Sequence, residues 1–195
     1  GRVGLMSVVF TPVGIRDILH LPLNELTNRY VSLEEALGKE GKDMEEQMMN
    51  LAGFDERVDS LETFLLGRLQ RRNEFENNRM RMVMTRLLQG RGMFNVEQLA
   101  GYACLSKKQF ERVFAAYVGL MPKQYLRVIR FLYAVEFRNR MPVVDLATLA
   151  FHTGYYDAAH LANEIKALTG HTSSTLFQLM CFSEDVESIE WFLGA

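Results

Sequence analysis

Four side chains on one short stretch have the chemistry to read a polar surface: Lys107, Lys108, Glu111 and Arg112. Between Ser106 and Gly119, Phe110, Val113, Phe114 and Tyr117 fall at i, i+3, i+4 and i+7, the period of a helix with one buried stripe. Ser106 with Gln109 three residues on is a capping box, and Gly119 can close the helix in the left-handed conformation. With the stripe turned inward, the four polar residues face outward from the first turn and a half. There, cationic and hydrogen-bonding groups can reach base edges in a major groove. For a single charged helix a solvated face is the commoner outcome, so the surrounding elements have to decide.

A second helix precedes this one at tight spacing. It opens at Asn95 with Gln98 three residues on, and its apolar positions are Val96, Leu99, Ala100 and Ala103 before the chain turns through Cys104-Leu105. Two helices, a short turn and small residues at the contact make a helix-turn-helix pattern. The pattern then repeats: Ser106 is answered by Asp157, Phe110 by Leu161, Phe114 by Ile165 and Gly119 by Gly170, each 51 residues on, while Ala100 pairs with Ala150 at 50. The second turn is therefore one residue longer, and a register held by cap, core and stop positions implies an internal duplication.

The string Leu105-Ser106-x-x-x-Phe110-x-Arg112-x-Phe114-x4-Gly119-x-x-Pro122 is followed by a helix with Arg130 and Ala134. Then come Leu149-Ala150-x3-Gly154-Tyr155-x-Asp157-x-x-His160-Leu161 and Gly170-x-Thr172. Over roughly residues 75 to 180 this resembles the DNA-binding domain of AraC/XylS-type bacterial transcription regulators. The resemblance implies an all-α fold: a seven-helix domain with two helix-turn-helix units joined by a linker helix. It also implies double-stranded DNA as partner, no enzymatic activity and a cytoplasmic, nucleoid-associated location. Carried onto this chain, the DNA-binding positions are Lys107, Lys108, Glu111 and Arg112 in the first unit and Ala159, His160, Asn163 and Lys166 in the second. Ser106, Lys123, Arg127 and Thr172 are candidate phosphate contacts. The second unit departs from the family: Asn163 stands where an Arg is usual, Thr172-Ser173 replaces Thr-Pro, and Leu176 and Phe177 replace the usual aromatic and Arg. His160 fits a capping or packing role as well as a base contact.

Charge agrees once it is divided along the chain. Residues 1–90 carry 12 basic and 14 acidic side chains, residues 91–182 carry 10 and 6, and residues 183–195 carry 0 and 4, for a net charge of −2 overall. The excess of cations lies on the repeated unit, as phosphate attraction requires.

The elements around that unit follow from their patterns. Residues 1 to 10 read as a strand carried by Val3, Leu5, Val8, Val9 and Phe10, which needs a partner strand from elsewhere. Thr11-Pro12 starts a short helix, acidic helical segments follow at about Leu33 to Leu37 and Asp43 to Leu51, and Val58, Leu61, Phe64, Leu65 and Leu69 form an apolar stripe expected to be core. The next helix, Glu74 to Leu88, buries Met80, Val83, Met84, Leu87 and Leu88. Pro122 opens the linker helix, which runs to about Arg138 and displays Arg127, Arg130, Arg138 and Arg140. These observations place a mostly helical segment with one strand at 1–72, the double helix-turn-helix domain at 73–182, and an acidic tail at 183–195. By resemblance, 1–72 is the end of a sensing or dimerisation domain whose larger part precedes Gly1, which brings a small-molecule effector and a homodimer as further partners. The start at Gly1 points to a fragment or a processed end.

Other chemistries find little support. No apolar run approaches the ~18 residues of a membrane helix. Cys104 and Cys181 are isolated and read as buried small hydrophobes. The four His residues have no carboxylate or Cys at triad or metal spacing, no Gly-rich phosphate loop occurs, and neither metal nor cofactor is expected. The alternative is a regulator-derived module that binds another protein through its Met-rich and acidic helical faces.

Overall fold

The computed structural model describes residues 6–69 and 74–180, all of whose regular structure is helical. In chain order the helices are α1 (Pro12–Leu19), a 3-10 turn at Leu23–Glu25, α2 (Leu33–Leu37), α3 (Lys39–Asn50), α4 (Phe54–Leu69), α5 (Glu74–Gln89), α6 (Val96–Tyr102), α7 (Lys107–Val118), α8 (Pro122–Arg140), α9 (Leu146–His152), α10 (Ala158–Thr169) and α11 (Ser173–Met180). The strand expected at 1 to 10 is not formed where the chain is described. Residues 6–10 have no regular structure, and Val8 and Val9 are exposed. A strand needs a ladder partner, and no other strand exists among the described residues. Val3 and Leu5 lie outside the described residues, as do the boundary drawn near Arg72 and the acidic tail.

Packing gathers the described residues into an upstream body, within 1–82 and 108–121, and a downstream body, within 83–107 and 122–195. In the upstream body, Thr11 caps α1 by accepting the Gly14 N–H at 3.1 Å, with Pro12 as first helical residue. Val13, Ile18, Leu23 and Met44 are buried. The α4 stripe is less buried than its pattern suggests: Val58, Leu61, Phe64 and Leu65 are half-buried and Leu69 is exposed. The buried residue of α4 is Arg68, whose Nε donates to the Ile18 carbonyl at 2.6 Å and whose Nη1 pairs with Glu40. A guanidinium goes inside here because its donors meet acceptors there.

The upstream body also includes α7 from Lys108 onward, and the far end of that helix is finished by upstream side chains. Arg16 Nη1 donates to the Ala116 carbonyl at 3.0 Å and its guanidinium lies 4.2 Å from the centre of the Tyr117 ring. Thr27 Oγ1 donates to the Gly119 carbonyl at 2.6 Å, and Tyr117 donates its hydroxyl proton to Asn77 Oδ1 at 3.0 Å. Gly119 closes the helix at φ +84°, as its stop role requires, and a Cβ there would lie 2.8 Å from Thr27 Oγ1. The last carbonyls of a helix lack partners within it, so these donors fill a need the helix creates. Close by, the buried Asp17 carboxylate pairs with Arg81 at 2.6 Å.

In the downstream body the core cluster is Ala134, Leu149, Ala150, Tyr155, Leu161 and Ile165, flanked by Phe131, Phe137, Leu176 and Phe177. The linker helix α8 begins at Pro122 as expected and ends at Arg140, two residues beyond the expected stop, which makes it 19 residues and about 28 Å long. Its arginines are engaged within the fold. Arg130 Nη2 donates to the Gly92 carbonyl at 3.2 Å, Arg138 donates to the Val144 carbonyl and covers the Phe177 ring, and Arg140 pairs with Glu136 at 2.6 Å.

The clamp on the end of α7 should be measurable. Arg16→Ala, losing a cation over an aromatic ring and a donor at a helix C-terminus, should lower unfolding stability by about 1–2 kcal/mol. Thr27→Val should cost about 1 kcal/mol. Glu35→Gln, which removes an exposed ion pair with Arg29, should change it by under ~0.5 kcal/mol. Urea titrations of the three variants against the parent chain check the order.

Candidate nucleic-acid interface

The duplication inferred from spacing is present in the backbone. Asn95 caps α6 with a full capping box to Gln98, and Asp145, 50 residues on, caps α9 by accepting the Ala147 and Thr148 N–H groups at 2.9 and 3.0 Å. After α6, Ala103 N–H returns to Leu99 O at 3.1 Å and Leu105 N–H to Ala100 O at 3.0 Å. After α9, Thr153 N–H returns to Leu149 O at 3.0 Å and Tyr155 N–H to Ala150 O at 2.9 Å. Both turns pass through a left-handed residue, Cys104 at φ +51° and Gly154 at φ +75°. The extra residue of the second turn follows Tyr155, and Tyr156 there is 92% exposed. Cys104 is exposed, contrary to its reading as a buried hydrophobe, because the turn fixes its backbone irrespective of the thiol's apolar character. Cys181 lies outside the described residues.

On α7, Phe110, Phe114 and Tyr117 are buried and Val113 half-buried, which is the expected stripe. Lys108 and Arg112 are exposed, Glu111 is half-buried, and Ser106 is exposed just before the helix. Lys107 is exposed but engaged: its Nζ lies 2.6 Å from Glu97 Oε1 on α6. On α10, Leu161 and Ile165 are buried, while Ala159, Asn163 and Lys166 are exposed and Ala162 is half-buried. Asp157 caps α10 by accepting the His160 N–H at 2.7 Å. His160 Nδ1 faces the Tyr156 N–H at 3.4 Å and its ring stands edge-on to Tyr155, so the imidazole supports the turn. Thr172 accepts the Thr175 N–H at 3.2 Å and opens α11.

One pairing was invisible in the sequence. Arg127 of α8 forms a forked ion pair with Glu164 of α10, Nε to Oε2 at 2.8 Å and Nη2 to Oε1 at 3.1 Å. The hydrogen bonds it donates to the Glu164 carboxylate push the Arg127 pKa up. Nothing at a spacing of 37 residues signals such a pair, although the apolar stripe of α10 leaves Glu164 off the core face. Tyr155, under the Arg130 guanidinium, has its pKa pushed up to about 12 by burial, so its phenol stays neutral.

Residues 99–178 match the family described as a helix-turn-helix domain, of the AraC type. Residues 99–178 are thus similar to the DNA-binding helix-turn-helix domain of AraC/XylS-type regulators. That family binds DNA to regulate transcription and is not a family of enzymes. No curated protein and no solved structure matches the chain. Among the described residues no helix is long and apolar enough to cross a membrane, and no cluster of three or more His, Cys, Asp or Glu is placed to hold a metal ion.

The Lys107 pair gives a pH test. The Glu97 carboxyl is held below its ordinary value of 4.5, chiefly by the hydrogen bond from Lys107. A depressed carboxyl keeps its pair above the ordinary value and loses it as pH falls through the lowered one. In a carboxyl-detected NMR titration the Glu97 midpoint should therefore lie below 4.5, and Lys107→Met should move it back toward that value.

Proposed function

We propose that the chain is a sequence-specific double-stranded-DNA-binding transcription regulator in which α7 dominates readout and α10 enters the next major-groove segment. The observation that supports this is the contrast between the two exposed helix faces. Lys108 and Arg112 stand exposed on α7 and form no ion pair among the described residues, whereas α10 offers Ala159, Asn163 and a single base, Lys166. An Arg at such a position suits bidentate contact with guanine, Asn163 suits adenine, Glu111 can accept from cytosine, and the Ala159 methyl suits thymine. Ser106, Lys123, Arg127 and Thr172 serve the backbone, which positions the protein and carries no sequence information directly. The same reading includes an effector bound by an upstream domain, a cytoplasmic, nucleoid-associated location, and a homodimer contact along the half-buried stripe of α4. One observation favours the protein-binding alternative: Phe151 and Tyr156 of the second helix-turn-helix are 81% and 92% exposed.

Selection from random duplexes followed by titration of variants on the recovered site tests this. Arg112→Ala should cost about 1–3 kcal/mol and relax preference at one or two base pairs, with Asn163→Ala costing clearly less. Equal losses overturn the dominance of α7. With about half of the ten cations in 91–182 on phosphates, log K against log[salt] should slope at roughly −4 to −5. A slope near zero with retained binding favours the protein partner.

A further inference from the structure

One cleft of the downstream body, about 640 Å³ in volume, is lined by Lys107, Lys123, Arg127, Arg130 and His160. Two carboxylates share its walls, Glu97 and Glu164, and each is already committed to one of the cations. Glu164 holds Arg127 through both oxygens, the same fork that a guanidinium offers to a phosphate. The Glu164 side chain is 20% exposed and that of Arg127 38%, so the pair sits at the wall of an open cleft and not in a sealed core. Lys123 is exposed in the same cleft and has no acid partner among the described residues.

We propose that this cleft seats one DNA backbone phosphate and that Glu164, with Glu97 beside it, is an internal competitor that sets how tightly the phosphate is held. The inference rests on the DNA-binding reading above. A free cation on the protein takes up mobile anions, and mobile cations cluster on DNA; exchange of these ions makes binding weaken with salt. A tethered carboxylate cannot diffuse away, so displacing it from Arg127 releases no ion and adds no salt dependence. Glu164 thus lowers affinity most at low salt and flattens the salt slope, holding down attachment to random sequence more than readout at α7.

The test uses the full chain and a ~20-bp duplex of random sequence, titrated by fluorescence anisotropy over a range of salt. Glu164→Gln keeps the side-chain volume and one acceptor for Arg127 while removing the charge. It should steepen the slope by about 0.9 and raise affinity roughly eightfold at ~0.1 M salt. Glu97→Gln should act in the same direction through Lys107, and it carries the test by the same readout if Glu164→Gln fails to fold by circular dichroism. Glu35→Gln changes net charge equally at the exposed Arg29 pair and should leave the slope as it was. In an Arg127→Gln background the gain from Glu164→Gln should vanish. Weaker binding at unchanged slope would mean that Glu164 only positions α10, and would overturn the proposal, as would no change or equal shifts in all three single Glu variants. If the parent chain and every variant fail to bind any duplex, both the DNA-binding reading and this one fall.

Discussion

A helix that reads another molecule must leave one face bare, so its aim depends on the opposite face and on its two ends. Here the leading end of each recognition helix follows a turn closed by the same backbone hydrogen bonds, Leu105 to Ala100 and Tyr155 to Ala150. Both closures pass through a left-handed residue. Gly154 adopts that conformation freely, while Cys104 bears a Cβ penalty of about 1–2 kcal/mol, and nothing in the structure requires a thiol there. The penalty is tolerable because Leu99, Ala100 and Ala103 are fully buried on one side of the turn and Phe110 and Phe114 on the other. Packing on both sides over-determines the conformation of the residue between them.

The cations of the repeated unit are largely occupied by the fold itself. Arg91 stacks on Tyr133, Arg130 binds a carbonyl and covers Tyr155, Arg138 binds another, and Lys107, Arg127 and Arg140 each have a carboxylate. Lys108, Arg112, Lys123 and Lys166 carry charge with no ion pair among the described residues. The formal excess of cations in 91–182 is therefore a weak guide to the field that DNA would meet, because a paired cation contributes little beyond a Debye length. What distinguishes the recognition helices is which of these residues each carries: Lys108 and Arg112 on one, Lys166 on the other. That asymmetry tracks individual positions and survives the pairing of everything around it.

Local features were legible in the sequence because their causes are local. The capping box at Asn95, the Asp157 cap, the stripe of α7, the stop at Gly119, Pro122 at the start of α8 and the one-residue lengthening of the second turn all depend on neighbours within a turn or two. Pairings between distant residues were not legible. Arg127 with Glu164, Asp17 with Arg81 and Arg16 with the Ala116 carbonyl join positions 37, 64 and 100 residues apart. A long, flexible side chain selects its partner only after the backbone is placed, so spacing carries no trace of the choice. The α4 stripe failed for a related reason. Periodicity marks which face of a helix is apolar, but the depth of that face depends on what covers it, and on α4 the side chain drawn inside was Arg68, which found the Ile18 carbonyl and Glu40. Residues 6–10 form no strand because a ladder needs a partner and none exists among the described residues.

The end of α7 carries a consequence for how this recognition helix is held. Its leading residues follow a turn built by the chain just before it, but its last carbonyls at Ala116 and Gly119 are satisfied by Arg16 and Thr27, and Tyr117 is held from below by Arg16 and Asn77. These donors lie upstream of the repeat, and their neighbour Asp17 is itself tied to Arg81 at the end of the upstream part of α5. A helix of 12 residues is marginal in isolation, so removing the groups that satisfy its C-terminal carbonyls leaves its last turn to fray. The upstream segment is thus part of the structure of the recognition helix, and a change that shifts α1 acts on α7 through named contacts, with no longer path required. Both stops return their N–H four residues back, Gly119 to Ala115 and Gly170 to Lys166, but a Cβ at Gly170 would meet nothing within 4 Å, where one at Gly119 would meet Thr27. Helices α7 and α10 therefore differ in how they are anchored as well as in what they display, and the one that carries both Lys108 and Arg112 is the one whose last carbonyls are met by upstream side chains.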